Sequence, residues 1–273
     1  VSERWREVAD RVFVRRHRSF DLNVGLVVGE GACLVVDTRM SHRQGRELVA
    51  AVRTVTRHPW TVLNTHAHFD HFFGNAVFRP AEIWGHARCA EVVARTGDTQ
   101  RTVLIEEARR LQQDDVVAEL SEVDIDPPDR TFTTSATLDI GGRTVHLRHL
   151  GRGHTDNDAV LEVADAGVIF AGDLVEEGAP PSFEDSYPLE WPSTVDRMLT
   201  LARGPVVPGH GAVVDRDHVT RQAGELRQVA ELARAGYAAG RDVEELWRHA
   251  PYPERYARTA LTRAYLQLSP PVR

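Results

Sequence analysis

Short apolar runs interrupted by glycine open the chain. Arg11–Val14, Leu22–Val28 and Ala32–Asp37 each have strand length, and Gly29-Glu30-Gly31 between the last two reads as a hairpin turn. The period then changes. Ser41 precedes a stretch to about Val55 in which Leu48, Val49 and Val52 share one face, which predicts a capped helix. Thr61–Asn64 and Ile83–Trp84 are short strands, His86–Arg95 and Thr99–Glu119 look helical, and Pro127-Pro128 marks a break. A second series of strands follows at Thr131–Phe132, Ala136–Ile140, Arg143–Leu150, Ala159–Val163 and Val168–Ala171, with Gly141-Gly142 as a tight turn. Thr194–Ala202 predicts a helix and Val206–Val207 a brief strand. From Arg216 onward the chain is helical. Val219, Ala223, Leu226, Ala230 and Ala233 form one stripe and Tyr256, Ala260, Ala264 and Leu268 a second, both read as core-facing.

Strands and helices thus come in two successive blocks, each strand-rich first and helical later. That order suits an α/β architecture of two packed sheets with helices outside. No repeat or low-complexity linker divides it. The expectation is one domain over residues 1–273, with 216–273 as C-terminal helices packed on it.

Composition narrows the function classes. Of 273 residues, 42% are hydrophobic and 27% charged, the balance of a globular chain. The net charge is −7 and no basic run stands out, so neither a nucleic acid nor a membrane surface is expected as partner. All 33 basic residues are arginine, which reads as coding bias. Cys33 and Cys89 sit among apolar neighbours and read as buried, inert thiols. The first residues carry no leader pattern and no apolar run approaches membrane-spanning length, so a cytoplasmic enzyme acting on a small molecule is expected. The Gly29-x-Gly31 pair is no dinucleotide loop, because strands flank it and no helix follows. There is also no G-x-S-x-G elbow and no phosphate loop.

The most informative stretch is Thr65-His66-Ala67-His68-Phe69-Asp70-His71. Three histidines and an aspartate within six positions, at the end of a strand, suit a metal loop. His66 and His68 can converge on one ion while Asp70 and His71 turn toward another, and imidazole with carboxylate suits zinc, iron or manganese. Three downstream residues lie in matching contexts: His154 in Gly-Arg-Gly-His-Thr, Asp173 in Phe-Ala-Gly-Asp and His210 in Pro-Gly-His-Gly. Each follows an apolar run and a glycine, at a strand end where sites are built. His86 starts a helix, where a capping or packing role fits better than ligation.

These four segments, in this order, resemble the metallo-β-lactamase superfamily. The resemblance implies a four-layer αββα sandwich with the site between the loop ends of the two sheets. It implies a first metal on His66, His68 and His154, a second on Asp70, His71 and His210, and Asp173 bridging both. Asp37 would orient metal-bound histidines, although a plain turn carboxylate fits that position equally. The cofactors implied are two divalent ions, zinc foremost, with iron or manganese as alternatives. Such a pair makes hydroxide from a water held between the ions at neutral pH, and Asp70 would accept or pass the proton.

The family's substrates range over lactams, lactones, thioesters and esters. This chain has an aspartate at 173 where the β-lactamases of the family usually place cysteine, and Glu176 where the lactonases place tyrosine. It also lacks the basic residues that the glyoxalase II group carries after that aspartate. The loop Val175–Trp191, with Glu176, Glu177, Phe183, Glu184, Tyr187 and Trp191, is therefore read as the specificity element. It favours a neutral or weakly polar ester, lactone or thioester unless Arg152 faces the substrate. Mononuclear iron persulfide dioxygenases resemble the pattern at His66, His154 and Asp173 and stand as the alternative, with β-lactam or phosphodiester hydrolysis as another.

Overall fold

Alternation along the strands decides which side of each sheet meets which layer. In the strand Cys33–Val36, Leu34 and Val36 face one way and Cys33 and Val35 the other, and all four are buried. A strand apolar on both faces must lie between two layers. The computed structural model describes residues 3–269 and shows how these layers close; the outermost residues of the expected 1–273 domain lie outside the described residues.

In chain order the strands are β1 (Trp5–Ala9), β2 (Val12–Arg16), β3 (Asn23–Val28), β4 (Cys33–Val36), β5 (Trp60–Leu63), β6 (Ile83–His86) and β7 (Arg130–Phe132), followed by β8 (Ser135–Ile140), β9 (Arg143–Arg148), β10 (Val160–Val163), β11 (Val168–Glu176) and β12 (Val206–His210). The first seven form one sheet in sequence order, antiparallel through β4 and parallel from β4 to β7. The other five form the second sheet in the order β12-β11-β10-β9-β8, with β11 and β12 parallel. Val14, Leu34, Val36 and Leu63 of the first sheet meet Leu147, Leu161, Phe170 and Val207 of the second in a shared core.

The helices are α1 (His42–Arg53), α2 (Phe69–Phe72), α3 (Ala87–Arg110), α4 (Asp114–Ser121), α5 (Trp191–Leu199), α6 (Arg216–Ala238), α7 (Val243–Leu246) and α8 (Glu254–Leu268). Ser41 caps α1 by accepting from the Gln44 amide, 3.1 Å away, a contact worth about 1 kcal/mol. Leu48 and Val52 of α1 cover Val24, Leu26 and Val35 on the outer face of the first sheet. Val195 and Met198 of α5, Val219 and Leu226 of α6, and Leu261 of α8 cover Val160, Ile169 and Val206 on the outer face of the second. The layers are therefore helix, sheet, sheet, helix. Among the described residues no helix is long and apolar enough to cross a membrane.

Two local expectations need correction. The helices expected at His86–Arg95 and Thr99–Glu119 are instead α3, unbroken through Gly97, and a short α4. Gly97 packs directly on Ile125, where tertiary contact outweighs glycine's weak helix preference. The break comes at Leu111–Gln113, where Gln112 has φ 56°. The strand β1 was not expected at all, because Trp5-Arg-Glu-Val-Ala9 contains no run of apolar residues such as the Val12-Phe13-Val14 that opens its partner β2.

Candidate metal centre

Neighbouring strand ends bring the loops of both sheets together. After β5 the chain runs through Asn64, Thr65 and His66 into α2, which carries Asp70 and His71. His154 lies on the loop after β9, Asp173 inside β11 and His210 at the end of β12. Asp173 was expected just past its strand; β11 instead continues to Glu176, with a register shift at Gly172, whose φ is 54°. That left-handed residue kinks the strand against Thr65 and is open to glycine at little cost. Gly209 of β12 matters for another reason: a Cβ there would overlap Asp173 Oδ1.

Backbone contacts pin the histidine loop. Asn64 Nδ2 donates to the His71 carbonyl at 3.1 Å, the Ala67 amide donates to Asn157 Oδ1 at 3.0 Å, and Gln100 Nε2 donates to the Ala67 carbonyl at 2.9 Å. The His154 turn is held by Asp158, which accepts from the Thr155 amide and hydroxyl. Burial pushes the Asp158 carboxyl up to about 7, against those bonds.

All seven residues singled out in the sequence converge in two groups. One contains His66, His68, His154 and Asp173, the other Asp70, His71 and His210, and within each group the candidate donor atoms lie within 4.8 Å of one another. His68 Nδ1 is 3.1 Å from His66 Nε2 and 2.9 Å from His154 Nε2. Asp70 Oδ2 is 3.6 Å from His71 Nε2 and 3.5 Å from His210 Nε2. Asp173 reaches both groups: Oδ2 is 3.5 Å from His154 Nε2 and 3.2 Å from His210 Nε2, and Oδ1 is 3.4 Å from His71 Nε2.

Each histidine has its second ring nitrogen occupied. His71 Nδ1 donates to Asp37 Oδ2 at 2.8 Å, His154 Nδ1 to the Ser182 carbonyl at 3.2 Å and His210 Nδ1 to the Phe20 carbonyl at 2.6 Å. His66 Nδ1 donates to Thr65 Oγ1 at 3.1 Å, and that hydroxyl donates in turn to Asp37 Oδ2 at 2.8 Å. His68 Nε2 lies 3.1 Å from Asp185 Oδ2. A neutral ring that donates through one nitrogen presents a lone pair at the other, so the five rings turn their inner nitrogens to the centre and can each offer one lone pair once deprotonated. Asp37 thus serves two of these rings, and Asp185, which the sequence reading missed, serves a third. Their distance in sequence from the histidines hid Asp185 in an acidic loop.

The buried donors fit a cation. His71 Nε2 and Asp173 Oδ1 have no hydrogen-bond partner although both are buried, and several imidazole nitrogens abut with too few protons to satisfy them all. Burial alone opposes charge here and lowers His154 to about 4. It opposes charge on His210 too, but Asp173 raises that ring to about 10. Burial would likewise raise Asp173, but His210, His71 and His66 hold it well below the usual carboxylate range. The carboxylates draw positive charge into the site, which a metal cation held by these donors would supply.

The family model described as the metallo-beta-lactamase superfamily matches residues 20–210. The chain belongs to the metallo-β-lactamase superfamily. It is accordingly a metal-binding hydrolase by family. It is 25% identical over 201 residues to a metallo-beta-lactamase type 2 of Bacillus sp. (strain 170), covering 70% of this chain and 68% of that protein. It is 27% identical over 229 residues to the human acyl-coenzyme A thioesterase MBLAC2, covering 75% of this chain and 80% of that protein. Among solved structures, TMB-1 superposes with a TM-score of 0.65 at 17% identity over 83% of this chain and 97% of that one. A metallo-beta-lactamase from Pontibacter korlensis superposes at 0.64 and 20% identity over 82% of this chain and 98% of that one. At these identities the superpositions establish the αββα fold.

The walls of the site differ from the sequence expectation. A cavity of about 490 Å³ over the donors is lined by Phe20, Phe69, Glu176, Glu177, Ser182 and Glu184, among others. Phe183 and Trp191, expected to line the pocket, are 1% and 0% exposed and stack in the core behind His154. Aromatic side chains of this size fill the layer between loop and helix. Tyr187 lies under the Arg152 guanidinium, 4.4 Å from its ring centre, and Arg152 is paired with Glu190. Arg152 therefore does not face the centre. The aromatic walls are Phe20, 53% exposed, and Phe69, packed edge-to-face at 5.4 Å. Phe20 stands in a turn where no periodicity marked it.

Proposed function

We propose that the chain is a dinuclear, zinc-dependent hydrolase of a small carboxylic ester, lactone or thioester. The observation that carries this reading is the placement of Asp173 between two donor groups, within 3.6 Å of histidines in each. His66, His68 and His154 would hold one ion, Asp70, His71 and His210 the other, and Asp173 both; an imidazole-carboxylate set without thiolate suits zinc. When bound, such a pair supplies an activated water and polarises a carbonyl. No side-chain nucleophile is required.

The residues of the chain do the rest. Five histidines, each locked by a bond from its outer nitrogen, keep their inner nitrogens aimed at the centre before any ion arrives. Asp70 Oδ2 sits between His71 and His210, so its carboxylate is placed to take a proton from the attacking water and return it to the leaving group. Phe20 and Phe69 offer an apolar wall to an acyl chain. Glu177 and Glu184 on the same cavity disfavour a phosphodiester there by like-charge repulsion, whereas burial pushes the Glu176 carboxyl up to about 8 and leaves it largely uncharged at neutral pH.

Support for an acyl substrate also comes from the human relative, named as an acyl-coenzyme A thioesterase and aligned over 80% of its length. Zinc-loaded protein should hydrolyse at least one thioester, ester or lactone with a kcat/KM above that for any β-lactam or phosphodiester in the same panel. A phosphodiester or a β-lactam at the head of that ranking would overturn the acyl reading while leaving the family intact.

A further inference from the structure

A second cavity, of about 530 Å³, opens beside the centre and shares His68 and Glu184 with the first. One wall is α3, whose residues Arg88, Val92, Arg95 and Gln100 fall on one helical face; Arg263 of α8 and Tyr187 contribute the opposite side. The sequence reading, built on the acidic loop, did not include this wall.

Its charges are unevenly paired. Arg88 is neutralised by Asp156 at 2.9 Å and Glu91 at 2.7 Å. Asp185 is engaged by His68, and Glu184 accepts from the Ser182 hydroxyl. Of the three carboxylates on this cavity only Asp156 has a close arginine partner. Arg263 donates only to backbone carbonyls, from Nη2 to Asp185 at 2.9 Å and from Nε to Ser186 at 3.2 Å. That leaves three of its five N–H donors without a protein acceptor. Among the described residues the exposed Arg95 side chain has neither a hydrogen bond nor a carboxylate within 4.0 Å. Two guanidiniums therefore border one cavity next to the donor groups without a direct ion pair of their own among the described residues, although the Asp185 and Glu184 carboxylates share the cavity.

We propose that this second cavity binds an oxyanion borne by the substrate, a carboxylate or a phosphate, through Arg95 and Arg263, while the scissile acyl carbon lies at the metal centre. The inference rests on the acyl-hydrolase reading above and adds a polar handle to it. Guanidinium donors match the planar or tetrahedral oxygens of such groups in pairs, which a neutral substrate cannot exploit. Because His68 borders both cavities, one substrate can reach from the apolar wall of Phe20 and Phe69, across the donors, to Arg95.

The test uses three thioesters with the metal-loaded enzyme: butyryl-N-acetylcysteamine, which is neutral; glutaryl-N-acetylcysteamine, with a carboxylate on the acyl side; and butyryl-coenzyme A, with phosphates on the leaving group. At least one anionic thioester should have a KM about 10-fold below the neutral one, and Arg95→Ala should remove that advantage while leaving the neutral kcat/KM within about 2-fold. The preferred thioester identifies the source of the oxyanion. Added salt should narrow the difference, as for a partly exposed charge pair. Calorimetry with glutarate and with adenosine 3′,5′-bisphosphate provides a readout independent of turnover; binding of one of them should weaken about 10-fold in Arg95→Ala and recover in part in Arg95→Lys. Equal kcat/KM for all three thioesters, or anion binding unchanged in Arg95→Ala, would overturn the proposal. Failure of the hydrolase reading looks different: no thioester is turned over, yet the anion still binds in an Arg95-dependent way.

Discussion

Asp185 Oδ2 lies 3.1 Å from His68 Nε2 and so decides which nitrogen His68 turns to the centre. The other four histidines present Nε2, whereas His68 presents Nδ1, facing His66 and His154. A residue in a loop more than a hundred positions away thereby completes the donor group.

Asp185→Asn should weaken the first metal. The amide can still touch His68 but cannot hold its N–H by charge, so affinity at the three-histidine group should fall about 10-fold or more. Zinc titration with a competing chelator measures this, and the circular dichroism spectrum and Tm should change little, because Asp185 is half exposed. Unchanged affinity would remove Asp185 from the metal centre.

Trp191→Ala should destabilise the fold. The indole is fully buried, donates to the Leu174 carbonyl at 3.1 Å and packs on the ring of His154. Its loss should cost about 3–5 kcal/mol, read by urea denaturation. If Trp191 instead lined a substrate pocket, the variant would keep its stability and change its preference among acyl chain lengths.

His17 should shape the acid limb of stability. It is fully buried, and neither ring nitrogen has a partner. Burial, then the charges of Arg39 and Arg15, lower it from 6.5 to about 3. The unfolded chain takes up a proton near 6.5 that the folded chain refuses until about 3. The contribution of this ring is therefore complete above pH 6.5 and is lost as pH falls toward about 3. His17→Leu should lose less stability than the parent between pH 7 and pH 5, roughly the interval in which the unfolded imidazole titrates. Parallel losses in the two proteins would show that His17 takes up its proton equally in the folded and unfolded chains, and so is not lowered by burial.

The seven residues that converge on the candidate centre were legible because each carries its chemistry in its own type and sits beside a short motif. The layer order was legible for a related reason: strands such as Cys33–Val36 and stripes such as Val219 to Ala233 report burial through local periodicity. What stayed hidden depends on contacts across the chain. Asp185 supports His68 from 117 residues away. Arg95 and Arg263 meet at one cavity from α3 and α8, and Phe20 reaches the site from a turn with no period. Trp191 and Phe183 misled because aromatic residues in a loop near a ligand look alike whether they face the pocket or the core. The continuity of α3 through Gly97 was set by Ile125, a partner no helical propensity contains.

The number of metal ions is the point on which the rest depends. Crystals of protein saturated with zinc, measured for anomalous scattering at the zinc edge, show each ion and its ligands directly. Two peaks are expected, one among His66, His68 and His154 and one among Asp70, His71 and His210, with Asp173 reaching both. A single fully occupied peak at the three histidines, with His71 and His210 bound to no ion, would contradict the dinuclear hydrolase.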